Sequence, residues 1–165
     1  MTIEQTEFDS AALREAYGQF PTGVVALCSE IAGTRVGMVA SSFVGVSLDP
    51  PLAGVFIQRD SRTWPVLASA GRLGVSVLGE THATSVSRLA GRDDDRFQGL
   101  ATVTSGLGSV FLDGASCWFD VTVEQQRDAG DHLFALLGIR GITVRDQSRP
   151  IVFHASTLRR MAAEE

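Results

Sequence analysis

Lysine is missing from this chain: all fourteen of its cations are arginine. That removes both a Schiff-base lysine and a phosphate-loop lysine from the chemistry available to it. Cysteine is scarce, with Cys28 and Cys117 far apart and each inside an apolar run. No C-x-x-C pair and no Cys/His cluster accompanies them, which argues against a zinc site and reads both as free buried thiols. No G-x-G-x-x-G opens a helix after a strand, and Gly106-Leu107-Gly108 is too short to count, so a Rossmann dinucleotide site is unsupported. A G-x-S-x-G elbow and an H-E-x-x-H helix are absent as well. The chain has no run of about 18 apolar residues, and its first residues carry no basic segment leading into an apolar one. These absences predict a cytoplasmic protein that does not enter a membrane. A net charge of −5 argues against a nucleic-acid partner, because phosphate backbones select clustered cations.

What is present is a globular composition, 44% apolar and 20% charged, over 165 residues. A single domain spanning 1–165 is expected, with an N-terminal helix over about 10–18 and a barrel over about 20–154. Ser10 is placed to cap the helix, and Leu13, Ala16, Tyr17 and Phe20 fall at helical spacing. Strands are predicted at Val24 to Cys28, Arg35 to Ser41, Val44 to Leu48 and Leu52 to Ile57, the last apolar enough to be covered on both faces. Alternation makes Leu73 to Val77 a half-buried strand and gives a strong strand signal from Cys117 to Glu124. Leu133 to Val144 reads as one long strand bent at Gly138 or Gly141, and Ile151 to Phe153 as a short final one. Short helices are expected over Ser61 to Ala70, capped by Ser61, and His82 to Ala90. Gly91 to Gly108, with its Asp93-Asp94-Asp95 run, reads as a surface excursion. Helices do not alternate with strands, so the pattern predicts a mainly β, antiparallel closed barrel with flanking helices rather than a doubly wound sheet.

Two segments carry the chemistry. Gly37 through Leu52 holds Ser41 and Ser42 on a strand end, a short bend, Ser47 and a double-proline stop. Small hydroxyl side chains and unencumbered amides suit a flat heterocycle with carbonyl and ring-nitrogen acceptors. Gln58 through Trp64 brings hydroxyls and the guanidinium groups of Arg59 and Arg62 to a predicted helix start, where an anion is welcome. Of the histidines, His82 reads as a surface residue, His154 as structural or on a rim, and His132, after Gly130-Asp131, as the functional candidate. Trp64 and Trp118 read as packing or interface residues.

Together these segments resemble the flavin reductase-like family of split-barrel FMN/FAD-binding proteins, which includes the reductase components of two-component flavin monooxygenases. The matching pieces are Phe20-Pro21-Thr22-Gly23-Val24, Gly37 through Leu52, Ser61-Arg62-Thr63, Leu73 through Leu78, Ser87-Arg88-Leu89-Ala90, Arg96-Phe97, Gly130-Asp131-His132 and Pro150-Ile151. The resemblance implies an NAD(P)H-dependent reductase passing a hydride to FMN or FAD, working as a homodimer and supplying reduced flavin to a separate monooxygenase. It implies that Met38, Val39, Ala40, Ser41 and Ser42 line the isoalloxazine edge, with Ser47 near the ring or ribityl chain. Met38 and Val39 replace the small or polar residues usual in that strand, so contacts there fall to the backbone. It implies further that Asp60, Ser61 and Thr63 hold the ribityl and phosphate, that Arg88 approaches the phosphate or an adenylate, and that His132 faces NADH or NADPH. Two alternatives stay open on the sequence: a tightly held prosthetic flavin serving another redox substrate, and a non-catalytic flavin-binding dimer module.

Overall fold

The computed structural model describes residues 9–91, 96–145 and 148–161. The chain opens on helix α1 (Ser10–Gly18), whose cap is Asp9, not Ser10: its carboxylate accepts from the Ala12 N–H at 2.7 Å. Strands follow at β1 (Thr22–Gly23), β2 (Val25–Ile31), β3 (Thr34–Ala40), β4 (Val44–Leu48) and β5 (Pro51–Gln58). Helix α2 (Trp64–Ala68) and strand β6 (Leu73–Val77) come next, then a 3₁₀ turn at Glu80–His82 and helix α3 (Val86–Ala90). Strands β7 (Thr102–Thr104), β8 (Val110–Leu112), β9 (Cys117–Ala129), β10 (His132–Val144), β11 (Ile151–His154) and β12 (Thr157–Arg160) complete the described residues. Among them no helix is long and apolar enough to cross a membrane.

Seven strands form one antiparallel sheet in the order β3-β2-β6-β9-β10-β5-β4. Its two edge strands, β3 and β4, are consecutive in the chain and joined only by residues 41–43. So short a connection forces the sheet to curl until its edges lie side by side, which gives a split barrel. Tight turns set the hairpins that build it. Ala32 and Gly33 both take positive φ (49° and 78°) between β2 and β3, the two-residue geometry that matches strand twist. Ala155 and Ser156 do the same between β11 and β12 with φ of 48° and 59°. Without a glycine to announce it, that turn concealed β12 from the pattern reading.

The barrel interior is filled by Val25, Leu27, Val55, Ile57, Trp64, Leu67, Leu73, Val75, Val121 and Leu137. A second core lies on the other side of β2, where Val24, Ala26 and Cys28 meet Leu78, Leu89, Val110, Leu112 and Ile151. Being covered by both cores, β6 buries Leu73 through Ser76, so the half-buried expectation was wrong for it. The Ser76 hydroxyl reaches the second layer and accepts from the Leu112 N–H at 3.0 Å. The long β9–β10 ladder shifts register between Leu136 and Leu137 and again between Ile139 and Gly141. The residues left over, Glu124 and Arg140, meet across the ladder as an ion pair also joined by Thr122.

His82 corrects the surface expectation. It is 4% exposed, its Nδ1 accepts from the Gly79 N–H at 3.1 Å, and its Nε2 donates to the Asp113 carbonyl at 2.8 Å. A ring satisfied at both nitrogens can be buried at little cost. Both cysteines are free; Cys28 is fully buried and burial pushes its thiol up to about 12. The Asp93–Asp95 run lies outside the described residues.

Candidate functional site

The split between β3 and β5 opens into a cleft of about 580 Å³. Its walls come from segments that local pattern singled out separately. Met38, Val39, Ala40, Ser41 and Ser42 line one side; Asp60, Ser61 and Thr63 line another; His132 joins them. Strand β5 explains the juxtaposition, since it runs antiparallel to β10 and sets Gln58 directly opposite His132. Phe56, Ile57, Gln58, Arg62, Arg96 and the end of α3 with Gly91 after it complete the lining.

Two expected residues fall outside it. Ser47 sits on β4 opposite Leu52, past a register shift that leaves Val46 unpaired. The Arg88 guanidinium donates to the Gln98 carbonyl and so fastens the following turn, while its neighbours Leu89, Ala90 and Gly91 border the cleft. Arg96, not Arg88, lines the cleft. Its Nη1 donates to the Gly37 carbonyl at 3.0 Å and to the Thr63 hydroxyl at 2.9 Å, strapping β3 to the loop before α2. The dipeptide Arg96-Phe97 stood in the sequence as a marker, yet nothing local says where its guanidinium goes.

Hydroxyls that look alike in sequence are distinct in space. Ser42 Oγ accepts from the Phe56 N–H at 3.1 Å and donates to the Phe56 carbonyl at 2.7 Å. Ser61 Oγ accepts from the Trp64 N–H at 3.2 Å and keeps its own proton to give. Helix α2 begins at Trp64, three residues later than expected, and has only five residues. The polar side chains that line the cleft at this point are Arg62, Arg96, Ser61 and Thr63. Beneath them Trp64 is buried in the barrel, its indole N–H bonded to Gln126 at 2.7 Å.

His132 heads β10 beside the turn at Gly130, which takes a φ of 67°. Its Nδ1 lies 2.7 Å from the Asp131 carboxylate, and that bond holds the Asp131 carboxyl below the usual carboxylate range. Arg59 braces the same turn, donating to the Gly130 carbonyl at 3.1 Å and pairing with Asp128 at 3.1 Å. The imidazole is thus held on the cleft rim by its own turn.

The donor set suits a flavin. Met38, Val39, Phe56 and Leu89 offer apolar surface for a flat ring, open backbone and the Ser41 hydroxyl offer donors to ring acceptors, and two guanidinium groups suit a phosphate.

Residues 17–162 match the family model described as a flavin reductase like domain. A flavin reductase of Pseudomonas putida is 33% identical over 153 residues, spanning 92% of this chain and 90% of the relative. The reductase subunit HsaB of a flavin-dependent monooxygenase from Rhodococcus jostii is 33% identical over 146 residues, spanning 88% of this chain and 75% of its own. The NADH:FAD oxidoreductase SgcE6 of Streptomyces globisporus, solved in complex with NAD and FAD fragments, superposes with a TM-score of 0.88 at 27% identity over 93% of each chain. A curled antiparallel sheet split beside a serine-bearing bend, and a match over almost the whole length, lead to one assignment: this chain belongs to the flavin reductase-like domain family.

Proposed function

We propose that the chain is an NAD(P)H:flavin oxidoreductase, with FMN or FAD held in the cleft and NADH or NADPH as the hydride donor. One observation carries this reading: the end of β3 with the bend after it (residues 38–42) and the 58–63 segment form two walls of a single cavity with His132 on its rim. When bound, the flavin supplies the electron sink for the hydride. The residues of the chain then have only to bind, orient and exclude water. Backbone amides of the bend and the Ser41 hydroxyl bind the ring acceptors; Arg62, Arg96, Ser61 and Thr63 bind the phosphate; His132, steadied by Asp131, borders the nicotinamide. Purified protein mixed with NADH or NADPH and with FMN or FAD is followed at 340 nm. Saturable loss of absorbance that requires added flavin is the expected result. Stoichiometric flavin on a protein that leaves both nicotinamides untouched overturns it.

The reading includes a homodimer. Its support is an apolar outward face on β4, β5 and β10, where Val44, Val46 and Phe56 are 47%, 48% and 43% exposed. Phe134 extends that face, its ring 5.1 Å from the Phe56 ring. Such a contiguous face calls for a cover. Because Phe56 belongs to both the face and the cleft, a second copy seated there borders the flavin. Sedimentation of wild type at twice the monomer mass, with Phe134→Arg shifted to monomer and binding flavin more weakly, is expected; a monomeric wild type defeats it.

The reduced flavin is handed to a separate monooxygenase; the Rhodococcus relative is named as the reductase subunit of such an enzyme. Cytochrome c in the assay mixture tests release. Its reduction should track NADH consumed, and none should be seen if flavin never leaves.

A further inference from the structure

We propose that Ser42 is a positioning residue whose hydroxyl replaces a missing strand partner of β5, leaving Ser41 as the hydroxyl that meets the flavin. The proposal deepens the flavin reading above and rests on it only for the consequence in binding. The sheet supplies the reason. On one side β5 is paired with β10 along its length, from Leu52 to Gln58. On the other, β4 pairs with it only as far as Gly54, opposite Val44. The backbone of Phe56 points the same way as that of Gly54, two residues on, so its N–H and C=O face an edge that β4 does not reach.

Ser42 reaches it. One hydroxyl accepts from the Phe56 N–H and donates to the Phe56 carbonyl, at 3.1 and 2.7 Å. A hydroxyl has a single proton, and this one is committed to Phe56. Ser42 therefore has no donor left for a ring nitrogen or carbonyl while the peg is in place. Ser41, exposed and with no side-chain hydrogen bond among the described residues, has its proton to give. The peg also fixes two cleft-lining parts to each other: the bend that follows β3, and Phe56 itself. Such prior fixing lowers the ordering cost of binding.

Hydrogen–deuterium exchange at the Phe56 amide, read by NMR on the flavin-free full-length chain, tests this directly. Wild type, Ser41→Ala and Ser42→Thr should hold that amide at least about tenfold more slowly than Ser42→Ala. Losing the peg should raise the dissociation constant for FMN or FAD, and the flavin KM, about three- to tenfold with kcat within about twofold. Ser42→Thr should restore binding. Free exchange at Phe56 in wild type, full protection in Ser42→Ala, or release of Phe56 in Ser41→Ala each overturns the assignment. Should Ser42→Ala fail to fold, the first and third of these still decide. A wild type that protects Phe56 yet binds neither flavin upholds the peg and overturns the function reading instead.

Discussion

Gly37→Ala is a small change that should disable the cleft from behind. A methyl carbon at Gly37 would stand 2.7 Å from the Phe97 ring and 2.8 Å from the Cys28 sulfur, both far inside contact distance. Cys28 lies in the fully buried second core and cannot yield. Phe97 sits on a turn and is only partly buried, so Phe97 moves. Its neighbour Arg96 is anchored to the Gly37 carbonyl and to Thr63, and both bonds go with it. Overpacking costs about 1–3 kcal/mol, and two lost hydrogen bonds add about 0.5–1.5 kcal/mol each. The sum, about 2–6 kcal/mol, corresponds to a Tm lower by about 4–24 °C for a chain of this size. With Arg96 displaced from the cleft, flavin affinity should fall about tenfold, equivalent to about 1.4 kcal/mol. Scanning calorimetry on flavin-free protein measures the first effect, and quenching of tryptophan emission on titration with FMN and FAD measures the second. Gly71→Ala, which meets nothing within 4 Å, is the control and should change stability by less than about 0.5 kcal/mol. Phe97→Leu removes the clashing ring carbon, so the double variant should cost less than the two single changes added. A Tm for Gly37→Ala within about 1 °C of wild type, or strict additivity with Phe97→Leu, refutes the reasoning.

His132→Ala should slow NADH oxidation about tenfold, about 1.4 kcal/mol, without abolishing it, since no proton transfer depends on that ring; complete loss of turnover with flavin still bound would contradict a positioning role. The Cys28 thiol, raised to about 12 by burial, keeps its proton in the folded state through a range where the unfolded thiol has lost it. Stability should therefore be undiminished by this group below about pH 9 and should fall as pH rises toward 12, by about 1.4 kcal/mol per unit relative to Cys28→Ala in urea titrations. Identical curves for the two proteins exclude that assignment. A thiol-directed reagent at pH 8 should leave Cys28 unlabelled until denaturant is added, and prompt labelling of Cys28 itself in the native protein, read apart from the half-buried Cys117, would show the second core to be open.

What could be read from sequence followed from how local each signal is. The Cys117 to Glu124 alternation was legible because a strand's period lies within a few residues. The Leu52 to Ile57 run was read as a strand, but not as one covered on both faces: Phe56 is 43% exposed on the outer side of β5. Strand β6 was misjudged because burial of its second face depends on β8, which lies some thirty-five residues on and donates the Leu112 N–H to Ser76. His82 was misjudged for the same reason: the group that makes its burial affordable, the Asp113 carbonyl, is thirty-one residues away. Around the cleft, Met38 to Ser42, Asp60 to Thr63 and His132 were named because the resemblance carries over onto local motifs, and the structure brings those residues together in one lining. Phe56 and Arg96 were not, since each reaches the cleft only through a tertiary partner.

The same distinction bears on how this cleft can work. Its polar groups are tied to the fold around them. The Asp131 carboxyl, on an exposed side chain, is shifted downward, first of all by the His132 bond. The ionisable groups are spent on holding: Arg96 on Gly37 and Thr63, Asp131 on His132, Arg59 on the turn beneath it. A site built this way controls where two flat rings sit, and the distance between them is the quantity on which a hydride transfer depends most steeply. Substitutions should then sort by whether they move a wall. Changes at Gly37, Ser42 and Arg96 shift backbone that the ring leans on, whereas replacing any single polar side chain on the rim leaves that backbone where it is.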